Sequence, residues 1–250
     1  MGSAMAALAL APGLAVGSFL NVVAARVPLK RSVVRPGSAC MSCKAPIVWY
    51  DNIPLVSYFA LRGKCRNCGA RIGLVYPAVE IAAALLVAAC VLVFGLTFYA
   101  AIAAFFCCVL VAISAIDIEH RIVPDRIVLP ATLIVLAAQL VRDPSLEWPL
   151  AAFGAAFFLL VAAVVYPAGM GMGDVKLALL MGAALGKLVS VALMVGMVSA
   201  VLPGLYLLAR HGSKARKMGI PFAPFLALGS VIALFAGEWL LDAYLGLLNP

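Results

Sequence analysis

Apolar residues run along this chain in long blocks, broken at intervals by short clusters of charge. Uncharged runs cover 1–25, 81–116, 148–173, 188–209 and 218–237. A helix of about 20 mostly apolar residues crosses a bilayer, so these runs read as membrane spans. The run 81–116 is too long for one pass, and Gly95-Leu96-Thr97 near its middle reads as a tight turn that divides it. Two shorter runs, 127–141 and 175–186, are marginal spans. The pattern predicts an all-α polytopic membrane protein of about eight transmembrane helices. Only 26–76 forms a large polar stretch, so the chain divides into a first helix (1–25), an insert (26–76) and a seven-helix membrane core (77–250).

Composition points the same way. Hydrophobic residues make up 66% of the 250 and charged residues 11%, with a mean hydropathy of +1.15. Soluble domains carry about 45–50% apolar and about 25% charged residues, so a water-soluble particle, a disordered chain, a coiled coil and a collagen are all excluded. Lys and Arg set the orientation. With the N-terminus outside, 16 of the 18 fall in inner loops, leaving only Arg142 and Lys187 outside. The insert is then cytoplasmic. The first run has no basic stretch before it and its positive charges follow, so it reads as a span and not a cleaved signal. Trp148 and Trp239 near outer boundaries, and Tyr76 and Tyr166 near inner ones, fit an aromatic belt. The net charge of +8 is that of basic inner loops beside anionic lipid. No recognition module accompanies it, so the bilayer, and not nucleic acid, is the expected partner.

The insert holds Cys40-Met41-Ser42-Cys43 and, after 21 intervening residues, Cys65-Arg66-Asn67-Cys68-Gly69. Two Cys-x-x-Cys pairs at this separation resemble a zinc ribbon, one residue longer than the usual gap. Zinc takes four thiolates in a tetrahedron, and each pair supplies two. Gly69 permits the turn that a metal knuckle needs, and Lys44, Lys64 and Arg66 offset the negative charge. A thiol redox pair is the competing reading; structural disulfides do not suit a reducing cytosol. Four-thiolate zinc is coordinatively closed, so Cys40, Cys43, Cys65 and Cys68 are expected to fold the insert, not to catalyse. Cys90, Cys107 and Cys108 lie in apolar spans and read as small hydrophobes.

Ten acids are present, and Glu80, Asp117, Asp174, Glu238 and Asp242 lie at or near span ends. An ionisable group at membrane depth is a functional candidate by default. Asp117, closing the third span, and Asp174, opening the sixth after Gly169-Met170-Gly171-Met172-Gly173, both fall at the inner boundary. Two carboxylates that share a site divide one proton, so one acts as base and the other as acid. Such a pair activates water and protonates a leaving amine, which is peptide hydrolysis without a metal or a covalent intermediate. The residues alone leave a second reading open, in which Asp174 caps a helix and Asp117 snorkels at the interface. His120 and His211 read as interface residues, and the methionines of 170–181 as packing.

Several motifs in order carry a further reading. The chain resembles bacterial type IV prepilin peptidases through Gly17-Ser18-Phe19-Leu20-Asn21-Val22-Val23, both cysteine pairs, Asn52-Ile53-Pro54-Leu55-Val56-Ser57-Tyr58, Leu61-Arg62-Gly63-Lys64-Cys65, Tyr76-Pro77-Ala78-Val79-Glu80, Asp117 with Pro124-Asp125, and Gly171-Met172-Gly173-Asp174-Val175-Lys176. The resemblance implies an intramembrane aspartic peptidase of the GxGD class, with Asp117 and Asp174 catalytic. It implies cleavage of prepilins or pseudopilins after a Gly, at the cytoplasmic face of the bacterial inner membrane. N-methylation of the new terminus with S-adenosylmethionine follows, and the tetracysteine insert belongs to the members that do both. Met41-Ser42, where the family commonly has Pro after the first Cys, and Val75, where Arg is common, depart from that pattern.

Helix ends predict how the acids divide their roles. Asp174, before a helix start, is favoured as carboxylate by N–H groups of the following turn, with Lys176 turned inward, and Asp117, at a helix C-terminal end, as the acid. Glu80, Glu119 and Asp125 are candidates to attract a basic leader, the alternative being pairing with Arg121 and Arg126. A transporter or channel using the intramembrane acids is the rival function, and a membrane-tethered zinc module the second.

Overall fold

The computed structural model describes residues 2–165, 170–212 and 220–248. Tyr166, Gly169, the side chain of His211 and the basic run 214–217 lie outside the described residues. Among the described residues the chain is helical, with nine α-helices and only two isolated β-bridges. Eight helices are long: α1 (Gly2–Arg26), α3 (Val75–Phe94), α4 (Phe98–His120), α5 (Asp125–Arg142), α6 (Glu147–Val165), α7 (Met172–Leu185), α8 (Val189–His211) and α9 (Ala223–Leu248). The short α2 (Val56–Ala60) belongs to the insert.

Six segments among the described residues are long and apolar enough to cross a membrane. The eight expected helices are all present; length and composition alone mark six apolar stretches, for two physical reasons. Helix α5 carries Asp125, Arg126 and Arg142 within its 18 residues. Helices α7 and α8 form one apolar segment, Met172–Leu207, folded at Gly186, whose φ of 56° is a left-handed conformation suited to glycine. Helix α7, at 14 residues, is about 21 Å long, short of a hydrocarbon core of about 30 Å.

Local chemistry sets the other boundaries. The run 81–116 breaks where expected: Gly95 takes φ 69°, and Thr97 Oγ1 donates to the Phe94 carbonyl at 3.0 Å and accepts the Ala100 N–H at 3.1 Å. Helix α9 runs past the expected end at 237, because Trp239, Leu240, Leu241, Tyr244 and Leu245 keep the apolar pattern while Glu238 and Asp242 stay exposed. Trp148 is buried, with its Nε1 donating to the Asp143 carbonyl at 3.2 Å. It packs inside and does not face outward as a belt residue, whereas Trp239 is exposed.

The chain forms two compact units, Met1–Ile116 and Asp117–Pro250. In the first, α1 lies on α3. Lipid is as apolar as a leucine side chain, so close approach of helices relies on small residues. A Cβ added to Gly13 would stand 2.7 Å from Ala84 Cα, and one on Gly17 2.6 Å from Glu80 Cα. Asn21 Nδ2 donates to the Tyr76 carbonyl at 3.0 Å near the end of the pair that adjoins the insert. In the second unit, Gly182 of α7 meets the backbone of Ala151 and Ala152 on α6, and Gly229 of α9 meets Ala192 and Gly196 on α8. Buried Gln139 of α5 donates to the Ala184 carbonyl of α7 at 3.0 Å and accepts from Arg142 Nε at 3.0 Å, so its amide is satisfied on both sides.

These approaches are specific to position. Gly17→Leu and Gly182→Leu are expected to lose about 1–3 kcal/mol or more by overpacking. Gly154→Ala, where an added Cβ meets nothing within 4 Å, is expected to cost nothing. Thermal unfolding of the purified protein in lipid nanodiscs, followed by tryptophan emission, compares the three.

Candidate active site

The site begins with a chain reversal between α4 and α5. Helix α4 ends at His120, and Arg121 follows in a left-handed conformation, φ 56°, its N–H donating to the Asp117 carbonyl at 2.9 Å. Pro124, with φ −75°, then stands as the residue before α5. The reversal lays Val123 against the start of α7. A Cβ on Gly173 would stand 2.9 Å from Val123 Cβ, so only glycine lets these two backbones come this close.

Asp117 and Asp174 line one cleft of about 240 Å³ together with Arg121, Val123, Asp125, Gly171, Gly173 and Lys176. Asp117 is buried, and its Oδ2 accepts the N–H of Ala223, the first residue of α9, at 3.0 Å. Asp174 is half-buried and is the third residue of α7, whose N-cap is Gly171. Its carboxylate turns back toward Gly171, where an added Cβ would lie 3.8 Å from Oδ2, and interacts with the Gly171 N–H. An acid at this third position reaching back to the N-cap N–H is half of a capping box. Arg121 and Asp125 at the rim are exposed, so water enters.

Two expectations about this pair change. Asp174 receives its backbone partner from Gly171 before it, not from the turn that follows. Asp117 closes α4, yet it faces the N-terminal end of α9, so both acids meet free N–H groups and positive dipole ends. Helix ends therefore do not divide base from acid as the sequence predicts. Lys176 lines the cleft, but its Nζ pairs with Asp125 Oδ1 at 2.6 Å and not with Asp174. Asp125 thus has Lys176 as its partner and not Arg121 or Arg126. Glu80 is buried, and its Oε2 accepts the Leu55 N–H at 2.9 Å. It braces the insert. Glu119 stays exposed. The hydrogen bond from Ala223, 106 positions from Asp117, had no local signal; the nearest hint was Pro221 and Pro224 flanking the start of a helix.

The four insert cysteines converge in the first unit, with sulfurs all within 4.8 Å of one another. The knuckles are alike. Cys40 N–H donates to Ala45 and Lys44 N–H to Cys40, at 3.0 Å each, and Cys65 N–H to Ala70 and Gly69 N–H to Cys65, at 2.8 and 2.9 Å. Each ends in a left-handed residue, Gly69 at φ 69° as expected and Lys44 at φ 60°. Backbone N–H groups of the turns hold three thiols below their ordinary value: those of Cys43 and Ser42 act on Cys40, that of Ala45 on Cys43, and those of Cys68 and Asn67 on Cys65. At Cys68 the Ala70 N–H also pulls down, but desolvation and the neighbouring sulfurs outweigh it, and the thiol is pushed up to about 11. Four sulfurs this close repel one another as thiolates, and a divalent cation removes the repulsion. Tetrahedral Zn–S bonds of about 2.3 Å put sulfurs about 3.8 Å apart, and Cys40 and Cys68 Sγ stand at 3.8 Å. The cluster fits a metal ion. Arg66 turns away from it to Asp51, at 2.6 Å. Cys90, Cys107 and Cys108 are buried and free.

A second cleft, about 370 Å³, lies within the first unit between α1 and the insert, with Phe19, Arg26, Val34, Asn52 and Pro54 on its walls. Arg26 donates to the carbonyls of Ser32 at 3.1 Å and Gly37 at 3.0 Å, fixing one wall.

The model of the bacterial peptidase A24 N-terminal domain matches residues 12–94, and that of the type IV leader peptidase family matches residues 104–208. The chain is 33% identical to the prepilin leader peptidase/N-methyltransferase of Bacillus subtilis, with 93% of this chain and 95% of the relative covered. Identity is 37% to the protein of that name from Pseudomonas aeruginosa, over 93% of this chain and 91% of the relative. It is 41% to the one from Myxococcus xanthus, over 79% of this chain and 62% of the relative. No solved structure matches. None of these relatives bears the name of a transporter or channel, and that rival reading finds no support. With two family models covering most of its length and relatives at this identity aligned nearly end to end, the chain belongs to the type IV leader peptidase family.

Proposed function

We propose that this protein removes the leader peptide of type IV prepilins or pseudopilins and N-methylates the amine so exposed. The observation that carries the reading is the cleft shared by Asp117 and Asp174, in a chain whose relatives are named for both activities. The two carboxyl groups hold one proton between them. A water between them loses a proton to the ionised acid as its oxygen bonds to the scissile carbonyl carbon. The second acid gives its proton to the departing nitrogen as the C–N bond breaks, and the pair is left with one proton again. Gly171 presents no side chain beside Asp174, so an extended substrate backbone can lie against the acids.

The orientation that puts 16 of 18 basic residues inside sets the N-terminus outside, with the cleft and the insert at the cytoplasmic face of the inner membrane. An apolar prepilin helix then enters from lipid while its leader stays in water.

Cys40, Cys43, Cys65 and Cys68 would hold one zinc ion. With all four positions filled the ion has no place for water, so it fixes the fold of the insert and takes no part in cleavage. S-adenosylmethionine supplies the methyl group when bound. The cleft beside α1 falls in the size range of cofactor sites, and its Phe19 ring and Asn52 amide would hold the ligand. The boundaries 1–25, 26–76 and 77–250 remain our assignment of first helix, methyltransferase insert and peptidase core.

Asp117→Asn and Asp174→Asn are each expected to lower leader removal by at least about 10²-fold while metal content and thermal stability hold. Mass spectrometry of a prepilin incubated with the methyl donor reads the cut and the methyl group together. Intact cleavage in either variant reassigns the chemistry. Gly173→Ala, pressed against Val123, is expected to slow cleavage by about 10- to 100-fold through misplacement of Asp174. Cys68→Ser is expected to lose the metal, measured by elemental analysis, and methylation with it, while leader removal persists. Lost cleavage with metal and fold intact would exclude a purely structural metal.

A further inference from the structure

We propose that the insert is seated in the membrane interface through an apolar and aromatic patch at residues 49–59, with anionic lipid headgroups as its partner, instead of standing free in water. The inference stands apart from the chemistry of Asp117 and Asp174 and uses only the first unit.

The patch is exposed. Trp49 is 79% accessible, Phe59 69% and Val56 62%, with Tyr50 and Ile53 also exposed. Val56 and Phe59 are three apart on α2 and share a face. The patch is rigid as well. Ser57 Oγ accepts the Ile53 N–H at 3.1 Å and donates to the Tyr50 carbonyl at 2.8 Å. That ties α2 to the 3-10 turn Trp49–Asn52 and turns its polar group inward. Trp49 and Tyr50 meet edge to face at 5.6 Å. Trp and Tyr are the side chains that settle at headgroup level.

Depth follows from two contacts. Glu80 is the sixth residue of α3, about 7.5 Å along the helix from its start, and its carboxylate accepts the Leu55 N–H. The residue before α2 is therefore fixed alongside a membrane helix more than one turn inside its end. The 370 Å³ cleft tells the same story, since Val34, Pro36 and Pro54 line it together with α1 residues from Arg26 back to Ala15, a stretch of about 16 Å. Irregular backbone at that depth is tolerated where it packs on protein or lines a wet cavity, and the insert does both.

Charge identifies the partner. Residues 26–76 hold nine Lys and Arg against one acid, Asp51, and Arg66 occupies that acid. Even with a divalent ion on four thiolates the insert stays strongly positive. A basic module with an aromatic face, entering and leaving through membrane helices, complements an anionic leaflet.

The test uses the full-length protein in nanodiscs containing phosphatidylglycerol, with lipid brominated near the headgroup end or near the tail of its acyl chain. Trp148→Phe with Trp239→Phe leaves Trp49 as the sole tryptophan. If loss of buried Trp148 unfolds the protein, the difference between the parent and Trp49→Phe gives the same signal, since exposed Trp49 packs on little. We expect Trp49 emission to be quenched more by shallow than by deep bromine, to be shielded from aqueous iodide, and to lose lipid quenching severalfold in Val56→Ser/Phe59→Ser. Iodide quenching with no response to brominated lipid overturns the proposal. So does emission that ignores lipid and changes only when a prepilin is added, which would make the patch a substrate surface.

Discussion

A carboxyl group set among membrane helices needs hydrogen bonds from the protein, because lipid offers none. Asp117 meets that need with the N–H of Ala223 at the start of α9. The bond ties the end of one helix to the beginning of another and answers the unpaired donors that every helix N-terminus carries. It leaves one face of the carboxyl toward the cleft. Asp174 turns its carboxylate back toward Gly171, the N-cap of its own helix. The two acids are thus held by different backbone segments, and their meeting depends on how closely those segments approach. Gly173 against Val123 sets that approach.

Small residues recur wherever this fold brings elements together. Gly13 and Gly17 join α1 to α3, Gly182 joins α7 to α6, and Gly229 joins α9 to α8. In water, burying leucine would drive such contacts; in lipid it gains little, and packing of backbone on backbone takes over. A glycine in a helix weakens it locally, so these positions trade helix stability for contact. Gly154 has no such contact, which separates composition from function: glycine is common in membrane helices, and only some glycines touch anything.

The spans, the break at Gly95 and the convergence of the cysteines were legible because each has a local cause. Apolar length marks a helix, a Gly-x-Thr step marks a break, and Cys-x-x-Cys marks a knuckle. The grouping of Asp117 and Asp174 was legible because buried acids are rare in such a chain. What supports them was not. Ala223 lies 106 residues from Asp117 and Lys176 lies 51 from Asp125, and no pattern in between encodes either contact. Glu80 misled for the opposite reason. Its place beside a span end looked like an inner-face charge, whereas the Leu55 N–H had already claimed it. Trp148 looked like a belt residue because its position in sequence is right, but the Asp143 carbonyl draws its indole inward. Sequence gives the depth of a side chain more readily than the direction it faces.

The insert follows a different logic from the helices. It is too small to bury a core, and none of the residues of the 3-10 turn Trp49–Asn52 is buried. Two outside supports replace the core. One is the sulfur cluster, which closes both knuckles on a common point. The other is α3 itself, through Glu80, with Asn21 of α1 reaching Tyr76 just before it. The sulfur cluster and a membrane helix thus hold the insert at separate points, and with it the wall of the cleft beside α1. If the interface also receives the aromatic patch, the insert has a third support, and the orientation of that cleft toward the bilayer becomes a consequence of lipid charge as well as of protein contacts.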